Sequence, residues 1–209
     1  YLGHYCNWEW VSSIPLHFED YQDKVFFGQI YHKLENEEMN KLFLRLRDKN
    51  GAESIPMSET LRRIVEIRRQ GKLWIVGFIA DQVPLWNNIH LWLDFLYHDT
   101  PVFTGAERIS RKFDSDVYYI GVRRERRGYY MARFVLMAEH AASQPEGELT
   151  RSYFSHLEKS IRRQPAFYLW THNRWKRTHE EYNIRYDEET GRVDMGDLEE
   201  IKRRKGIAK

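Results

Sequence analysis

Cysteine is almost absent from this 209-residue chain, which contains only Cys6. One cysteine excludes a framework of internal disulfides and is compatible with a reducing compartment. No apolar run approaches the ~20 residues that a membrane-spanning helix needs, and no signal peptide is present. The formal net charge is only +2, which gives no general argument for a nucleic-acid partner. We therefore expect no nucleic acid to bind, and no segment of this sequence to span a bilayer.

An initiator methionine is also lacking, because the sequence begins at Tyr1. The first candidate catalytic motif follows three residues later, and catalytic motifs rarely lie so close to a free end. We therefore expect a further N-terminal segment to precede this sequence, and that segment would have room for a membrane anchor.

Apolar and aromatic residues are plentiful, at 42% and 15% of the chain. This content suits a globular domain with a substantial core and excludes a disordered chain. Basic residues form three clusters, which favour phosphate or carboxylate partners unless nearby acids reduce them to solvated charged faces. The clusters are Arg62, Arg63, Arg68 and Arg69, then Arg123, Arg124, Arg126 and Arg127, then Arg174, Lys176 and Arg177.

Strand and helix patterns alternate along the chain, which predicts an α/β fold with a mixed central sheet flanked by helices. The run 73–80 is nearly continuous in apolar residues and is expected to be a central strand that ends at Asp81. Other strands are predicted at 24–31 and in a hairpin of 116–122 and 129–137. Helices are predicted at 37–49, from Ser58 to Gly71, at 104–113 and at 149–163. The first helix is expected to bury Met39, Leu42, Phe43 and Leu46.

Charges of both signs dominate after residue 176, and the extreme C-terminus is expected to be frayed. The sequence is therefore divided into a catalytic domain at 1–177 and a charged tail at 178–209.

A histidine and a carboxylate, His4 and Glu9, lie five positions apart in the segment GHYCNWEW. A carboxylate that accepts the imidazole N–H fixes its tautomer and makes the other nitrogen a better base. Within one helix the two side chains would diverge by about 140°. The pair can meet if His4 lies in a turn before a helix and Glu9 lies about one turn inside it.

Three other interpretations of these residues stay open on spacing alone. The histidine and the acid could form a buried structural pair. Cys6 could act as a nucleophile with His4, although their spacing assures no alignment. His4, Cys6 and Glu9 could bind a metal, although the chain has no HExxH motif and no second cysteine.

The segment GHYCNWEW resembles the HX4D/E motif of the lipid A biosynthesis acyltransferase family, which adds secondary lauroyl- or myristoyl-type chains during lipopolysaccharide assembly. Four further segments resemble the same family in the same order. The first extends from IYHK at 30–33 to LRLR at 44–47. The other three are FIADQ at 78–82, TPVFTG at 100–105 and QPAFYLWTHNRWK at 164–176. The Arg-Pro often found after the tyrosine of the first of these is His32-Lys33 here.

The resemblance implies a fold like that of the glycerolipid acyltransferases, an N-terminal membrane anchor missing from this chain, and a location at the cytoplasmic face of the inner membrane. It implies a phosphorylated lipid A precursor as acceptor and a fatty-acyl thioester as donor, on acyl carrier protein in preference to coenzyme A. Such a thioester is already activated, so no covalent enzyme intermediate is required. We expect no cofactor and no metal.

On this resemblance, His4 is the general base and Glu9 its orienting partner. Arg47 lies in the block where the family carries a functional arginine and would bind a phosphate or the oxyanion, with Arg45 as the alternative. Asp81, which follows the predicted central strand, would position an arginine or the acceptor head group.

Substrate contacts are also expected from Gln82 and from two basic residues of the C-terminal segment, Arg174 and Lys176. Tyr168 and Trp170 of the same segment are expected to pack onto the core. Two other functions fit the pattern. The chain could acylate an amino lipid or glycolipid, or it could be a non-catalytic membrane-surface module of the same fold.

Overall fold

The computed structural model describes residues 1–21 and 23–207. Its strands are β1 Val25–Tyr31, β2 Glu53–Pro56, β3 Leu73–Gly77, β4 Leu91–Phe95, β5 His98–Val102, β6 Val117–Arg126, β7 Tyr129–Ala138, β8 Tyr186–Asp187 and β9 Arg192–Val193. Its α-helices are α1 Glu37–Asp48, α2 Thr60–Arg69, α3 Gly105–Phe113, α4 Glu148–Arg163, α5 His179–Arg185 and α6 Leu198–Arg204. A ten-residue 3-10 helix covers Trp8–His17, and shorter 3-10 turns cover Glu19–Tyr21, Met57–Glu59, Trp86–Asn88, Ala141–Ser143 and Pro165–Phe167. The predicted mixture of helices and strands is confirmed.

Two compact units make up the chain. Unit 1 comprises Tyr1–Ile79 and Tyr118–Leu136, and unit 2 comprises Ala80–Val117 and the chain from Met137 onward. Where one mixed sheet was expected, the described strands form a three-stranded parallel sheet in unit 1 and separate two-stranded pairs.

The sheet of unit 1 has the order β2-β1-β3, with both pairs parallel. Two βαβ connections, through α1 and α2, impose this direction, because parallel neighbours need a crossover. The predicted central strand, 73–80, is shorter and lies at an edge, and β1 takes the centre. Gly28 lies in the middle of β1, where an added Cβ would come 2.8 Å from Phe26 Cε1 and 2.9 Å from Ile55 Cδ1.

The N-terminal segment lies beside the continuation of β3. Leu2 and Ile79 form a parallel bridge, and the Leu2 N–H donates to the Phe78 carbonyl at 3.0 Å. Since the two segments run in the same direction, the residues after Leu2 continue past the carboxyl end of the sheet. That end is where α/β sheets usually place functional groups.

Helix α1 turns a different face inward from the one expected. Met39, Leu42 and Leu46 are exposed, whereas Asn40 is buried and accepts a hydrogen bond from the Leu34 N–H at 3.0 Å. The buried side of the helix therefore runs through positions 40, 43 and 47. This rotation points Arg47 toward the body of unit 1.

Helix α2 follows the 3-10 turn Met57–Glu59, so it begins at Thr60 and not at the predicted Ser58. Ile64 and Ile67 are fully buried. Gly71 follows the helix with a φ of +68°, a conformation that favours glycine.

Unit 2 is built around α4, whose Tyr153, Phe154, Leu157 and Ile161 are buried. Phe95 of β4 packs edge-on against Phe154, with the ring centroids 5.0 Å apart. The predicted helix at 149–163 is therefore present, and its apolar stripe forms this core.

The charged C-terminal segment is folded as far as residue 207. The expectation of a frayed extreme C-terminus falls on residues 208 and 209, which lie outside the described part. Val193 is buried against Trp86 and Ile89. The charged residues make caps as well as solvated faces, since Thr178 caps α5 and Asp197 caps α6.

Over the part of the chain that the structure describes, every helix is too short or too polar to cross a bilayer.

Candidate active site

The motif residues His4 and Glu9 lie in unit 1, on either side of a sharp change in backbone direction. Cys6, between them, has a φ of +57°, and the 3-10 helix begins at Trp8. His4 therefore precedes the helix, as expected. Glu9 lies in the first turn of a 3-10 helix, whereas the sequence suggested a position one turn inside a regular helix.

Glu9 and Arg47 form a forked ion pair. Arg47 Nε donates to Glu9 Oε2 at 3.3 Å, and Arg47 Nη2 donates to Glu9 Oε1 at 3.0 Å. The guanidinium also lies over the ring of Phe43, 5.2 Å from its centroid. Two parallel N–H bonds and a ring contact fix both groups in one orientation. The structure thus joins two predicted site residues that are 38 positions apart.

Arg45, the alternative arginine, lies elsewhere on α1. Its side chain is exposed, and its Nε lies 3.4 Å from the carbonyl oxygen of Lys41 in the same helix. Of the two arginines, Arg47 is the one held against the motif.

The His4 ring is half-buried and meets the Trp8 ring edge to face, with centroids 5.3 Å apart and planes at 67°. Trp8 in turn packs against a buried cluster of Leu2, Ile120 and Val122. The imidazole therefore rests on a ring that the core of unit 1 holds in place.

Cys6 is half-buried and packs against the same cluster as Trp8. Its surroundings in this cluster are apolar. Within residues 1–21 and 23–207, no three side chains of histidine, cysteine, aspartate or glutamate lie together as a metal site would require.

A second group of predicted residues lies in unit 2, around Asp81. Asp81 and Arg174 are each only 2% exposed. Burial, reinforced by the charge of Asp81, raises the pKa of Tyr168, and the Asp81 carboxylate accepts a hydrogen bond from its hydroxyl. Burial also lowers the pKa of Arg174 to about 10, against the opposing effects of Tyr168 and Asp81. Arg174 therefore stays cationic at neutral pH despite its burial.

Arg174 makes internal contacts within unit 2. Its Nη2 donates to the carbonyl oxygen of Pro101 at 2.6 Å, and its guanidinium lies 5.7 Å from the centroid of the Phe154 ring. The Nε and Nη1 groups are buried, and no residue in the described ranges 1–21 and 23–207 forms a hydrogen bond with them. A direct substrate contact from Arg174 stays a prediction.

The aromatic and imidazole groups of the C-terminal segment fasten it to the rest of unit 2. His172 Nε2 accepts from the Val83 N–H at 3.2 Å, and Trp175 Nε1 donates to Thr100 Oγ1 at 2.8 Å. The residue that follows the segment FIADQ, and the segment TPVFTG itself, therefore contact the C-terminal segment.

Exposure separates the remaining predicted residues of unit 2. Tyr168 is buried, as expected for packing, whereas Trp170 is half-exposed with its Nε1 donating to the Pro165 carbonyl at 2.7 Å. Gln82 is half-buried and Lys176 is exposed. Their substrate contacts also stay predictions.

Glu107 is a buried acid that the sequence analysis missed. Its carboxylate accepts hydrogen bonds from the Gly147 N–H at 2.7 Å, the Thr150 N–H at 3.0 Å and the Thr150 hydroxyl at 2.5 Å. It thereby caps the first turn of α4, which has no cap from its own N-cap residue. The sequence signal that could have identified Glu107 is its position on the inward face of α3, between the buried Ala106 and Ser110.

The family model described as bacterial lipid A biosynthesis acyltransferase matches residues 1–177. No curated protein matches the chain. The family match covers Glu9, Arg47, Asp81 and Arg174, and it ends where the charged C-terminal segment begins.

Proposed function

This chain belongs to the bacterial lipid A biosynthesis acyltransferase family, and from that membership we propose that it moves a fatty acyl chain from an acyl thioester to a hydroxyl of a lipid A precursor. Membership itself implies an acyltransferase with a lipid A precursor and an acyl donor as substrates. Beyond this membership, we propose roles for individual residues, a donor carrier and a cellular location.

His4 acts as the general base. As the acceptor hydroxyl attacks the thioester carbonyl, the imidazole takes its proton, the oxygen–carbon bond forms, and the carbon–sulfur bond breaks to release the carrier thiol. The thiolate leaving group recovers a proton from the imidazolium. Base catalysis of this kind contributes about 10²–10⁴-fold.

Glu9 orients His4 and stabilises the imidazolium, and Arg47 holds Glu9. A carboxylate has lone pairs for more than one donor, so the fork with Arg47 leaves Glu9 able to accept the imidazole N–H as well. The observation that supports this proposal is the forked Glu9–Arg47 pair. Glu9 belongs to the motif that continues past the carboxyl end of the parallel sheet. The primary role that we propose for Arg47 is therefore to position Glu9, and binding of the substrate is secondary.

Asp81 positions Arg174 and Tyr168 inside unit 2, and this buried group supports the segments that surround it. The half-buried Gln82 and the exposed Lys176 are our candidates for contact with the acceptor head group. A lysine of this kind binds phosphate as a point charge.

Acyl carrier protein is our proposed donor carrier, and the cytoplasmic face of the inner membrane is the proposed location. Residues 1–177 form the catalytic domain, with the arrangement of the glycerolipid acyltransferases. These proposals rest on the family and on the sequence segments that resemble it.

The test combines the protein with an acyl thioester and a lipid A precursor in detergent micelles and follows both substrates by mass spectrometry. The expected product is the precursor heavier by one acyl chain. Consumption of thioester with transfer to an amino lipid or glycolipid alone would replace the acceptor proposed here. No consumption of thioester with any acceptor would mean a binding module and would overturn the enzymatic function.

A further inference from the structure

The solvent exposure of the β6–β7 hairpin changes along its length. At its start, Val117, Tyr119, Ile120 and Val122 are buried. From residue 123 to residue 134 every residue is exposed. The hairpin therefore has a root inside the protein and an outer part that the described residues do not cover.

The outer part combines arginines with large apolar side chains. Residues 117–138 contain five arginines and one glutamate, and Arg123 already pairs with that glutamate, Glu125. The exposed large apolar residues are Tyr118, Tyr129, Tyr130, Met131, Phe134 and Leu136. Exposed aromatic and apolar groups beside arginines match the headgroup region of a bilayer, where rings and basic side chains keep polar tips in water and apolar bodies in lipid.

Both faces of the outer hairpin carry apolar groups. Because side chains alternate along a strand, Tyr130 and Phe134 point to one face of β7, and Tyr129 and Met131 point to the other. A protein partner would cover one face and leave the second exposed, whereas a lipid surface surrounds an inserted hairpin tip. The Arg126 guanidinium lies over the Tyr129 ring, 3.9 Å from its centroid. A charged group and an aromatic ring are therefore adjacent at the tip of the hairpin.

We propose that the outer part of the β6–β7 hairpin docks unit 1 onto a bilayer that contains anionic phospholipid. Charge complementarity selects the occupant, since the arginines face lipid phosphates and the rings enter the headgroup layer. This proposal deepens the membrane location of the proposed function, but its test does not depend on acyl transfer.

The buried root of the hairpin contacts the segment that contains His4, so docking of the hairpin also positions that segment. The Ile120 N–H donates to the Tyr1 carbonyl at 2.7 Å, and Ile120 and Val122 pack against Trp8 in the shared cluster. Farther out, the Trp10 and Tyr130 rings lie 5.6 Å apart. Docking the hairpin therefore fixes the distance between the bilayer and the segment that carries His4, so that a hydroxyl on a membrane lipid meets the base.

The experiment is co-sedimentation of the chain with vesicles of phosphatidylethanolamine and phosphatidylglycerol, and with neutral phosphatidylcholine vesicles. Binding to the anionic vesicles should be strong and should weaken as salt is raised. Each arginine near an anionic surface contributes about a fivefold factor, so Arg126→Ser with Arg127→Ser should lower binding about 25-fold. Arg68→Ser with Arg69→Ser, an equal charge loss on the exposed end of α2, is the matched control and should bind as the unaltered chain does.

The apolar contribution is tested separately with Tyr129→Ser and Leu136→Ser, against Leu73→Ser and Leu85→Ser as exposed controls. The hairpin pair should lose at least tenfold in vesicle binding, since full burial of two such side chains would provide about a hundredfold or more and insertion into the headgroup layer buries only part of each. The control pair should lose little. Circular dichroism establishes that each variant is folded. The charge-keeping pair Arg126→Lys with Arg127→Lys provides a second check, since it should bind nearly as well as the unaltered chain.

Two results would overturn the docking role. In one, the hairpin variants bind anionic vesicles as the control variants do. In the other, they keep vesicle binding but lose their rate with acyl carrier protein as donor, which would make the hairpin a protein-binding surface. Acyl transfer in detergent micelles, where no bilayer is present, should persist in the hairpin variants. A chain that binds vesicles through the hairpin but transfers no acyl group would contradict the proposed function alone.

Discussion

Arg47 donates two hydrogen bonds to Glu9, across 38 positions of sequence, and thereby connects helix α1 to the motif that contains His4. The pair is partly exposed on both sides, so its value for stability is small. Its value for function lies in geometry, because a carboxylate held from one side presents a defined lone pair to a third group.

Arg47→Lys tests that connection. A lysine keeps the charge but cannot form the fork, so Glu9 loses its fixed orientation. We expect kcat to fall about tenfold or more with a smaller change in KM, since the substitution disturbs catalysis more than substrate binding. Steady-state kinetics with both substrates varied gives this split.

The matched control is Arg45→Lys, two positions away on the same helix and exposed. It should leave kcat within about twofold. A loss at Arg45 equal to the loss at Arg47 would show that general charge on α1 matters and that the fork does not.

Cys6→Ser is expected to keep most of the activity. The thiol packs beside an apolar cluster, and a thioester donor needs no enzyme nucleophile when a base activates the acceptor. Intact-protein mass spectrometry during turnover should show no acyl group on the protein. An acyl-Cys6 species that forms and decays at the rate of turnover would instead support covalent catalysis.

Asp81 and Arg174 are expected to be coupled in stability. Asp81→Asn removes a buried charge that acts on the Arg174 guanidinium, and Arg174→Met removes the buried positive charge that acts on Asp81. Each single change should lower the free energy of unfolding by about 1–3 kcal/mol. The double variant should lose less than the two single losses together. Urea denaturation of all four proteins measures the coupling, and strict additivity would contradict it.

Glu107→Gln should destabilise α4 by about 1–3 kcal/mol. The amide can still accept from the backbone, but it loses the negative charge that favours a helix N-terminus and turns one donor toward buried N–H groups. Thermal denaturation measures this loss. Glu158→Gln, a change on the same helix at a partly exposed ion pair with Arg162, is the control and should cost less than about 1 kcal/mol.

The sequence predicted local elements better than the directions in which they face. The helices at 37–49 and 149–163 are present because each carries a clear 3.6-residue period. The apolar stripe of α1 pointed to burial of Met39, Leu42 and Leu46, yet the protein buries the side that contains Asn40. One polar contact, from the Leu34 N–H to Asn40, and one ion pair, from Arg47 to Glu9, fix the rotation, and neither leaves a periodic signal.

Contacts between distant segments were accessible only through the family resemblance. It brought Arg47 and Glu9 into one hypothesis, and the structure shows that they touch. The burial of Arg174 could not be predicted, because a lone arginine in a basic segment gives no sign of the carboxylate it will meet. The folded C-terminal segment was missed for a similar reason, since Val193 is one buried residue among many charges.

The role of His4 as general base is tested by measuring His4→Ala in the transfer assay. Turnover should fall by about two to four orders of magnitude, while the unfolding midpoint and binding to anionic vesicles stay close to those of the unaltered chain. A folded His4→Ala protein that transfers acyl groups at a near-normal rate would contradict the account.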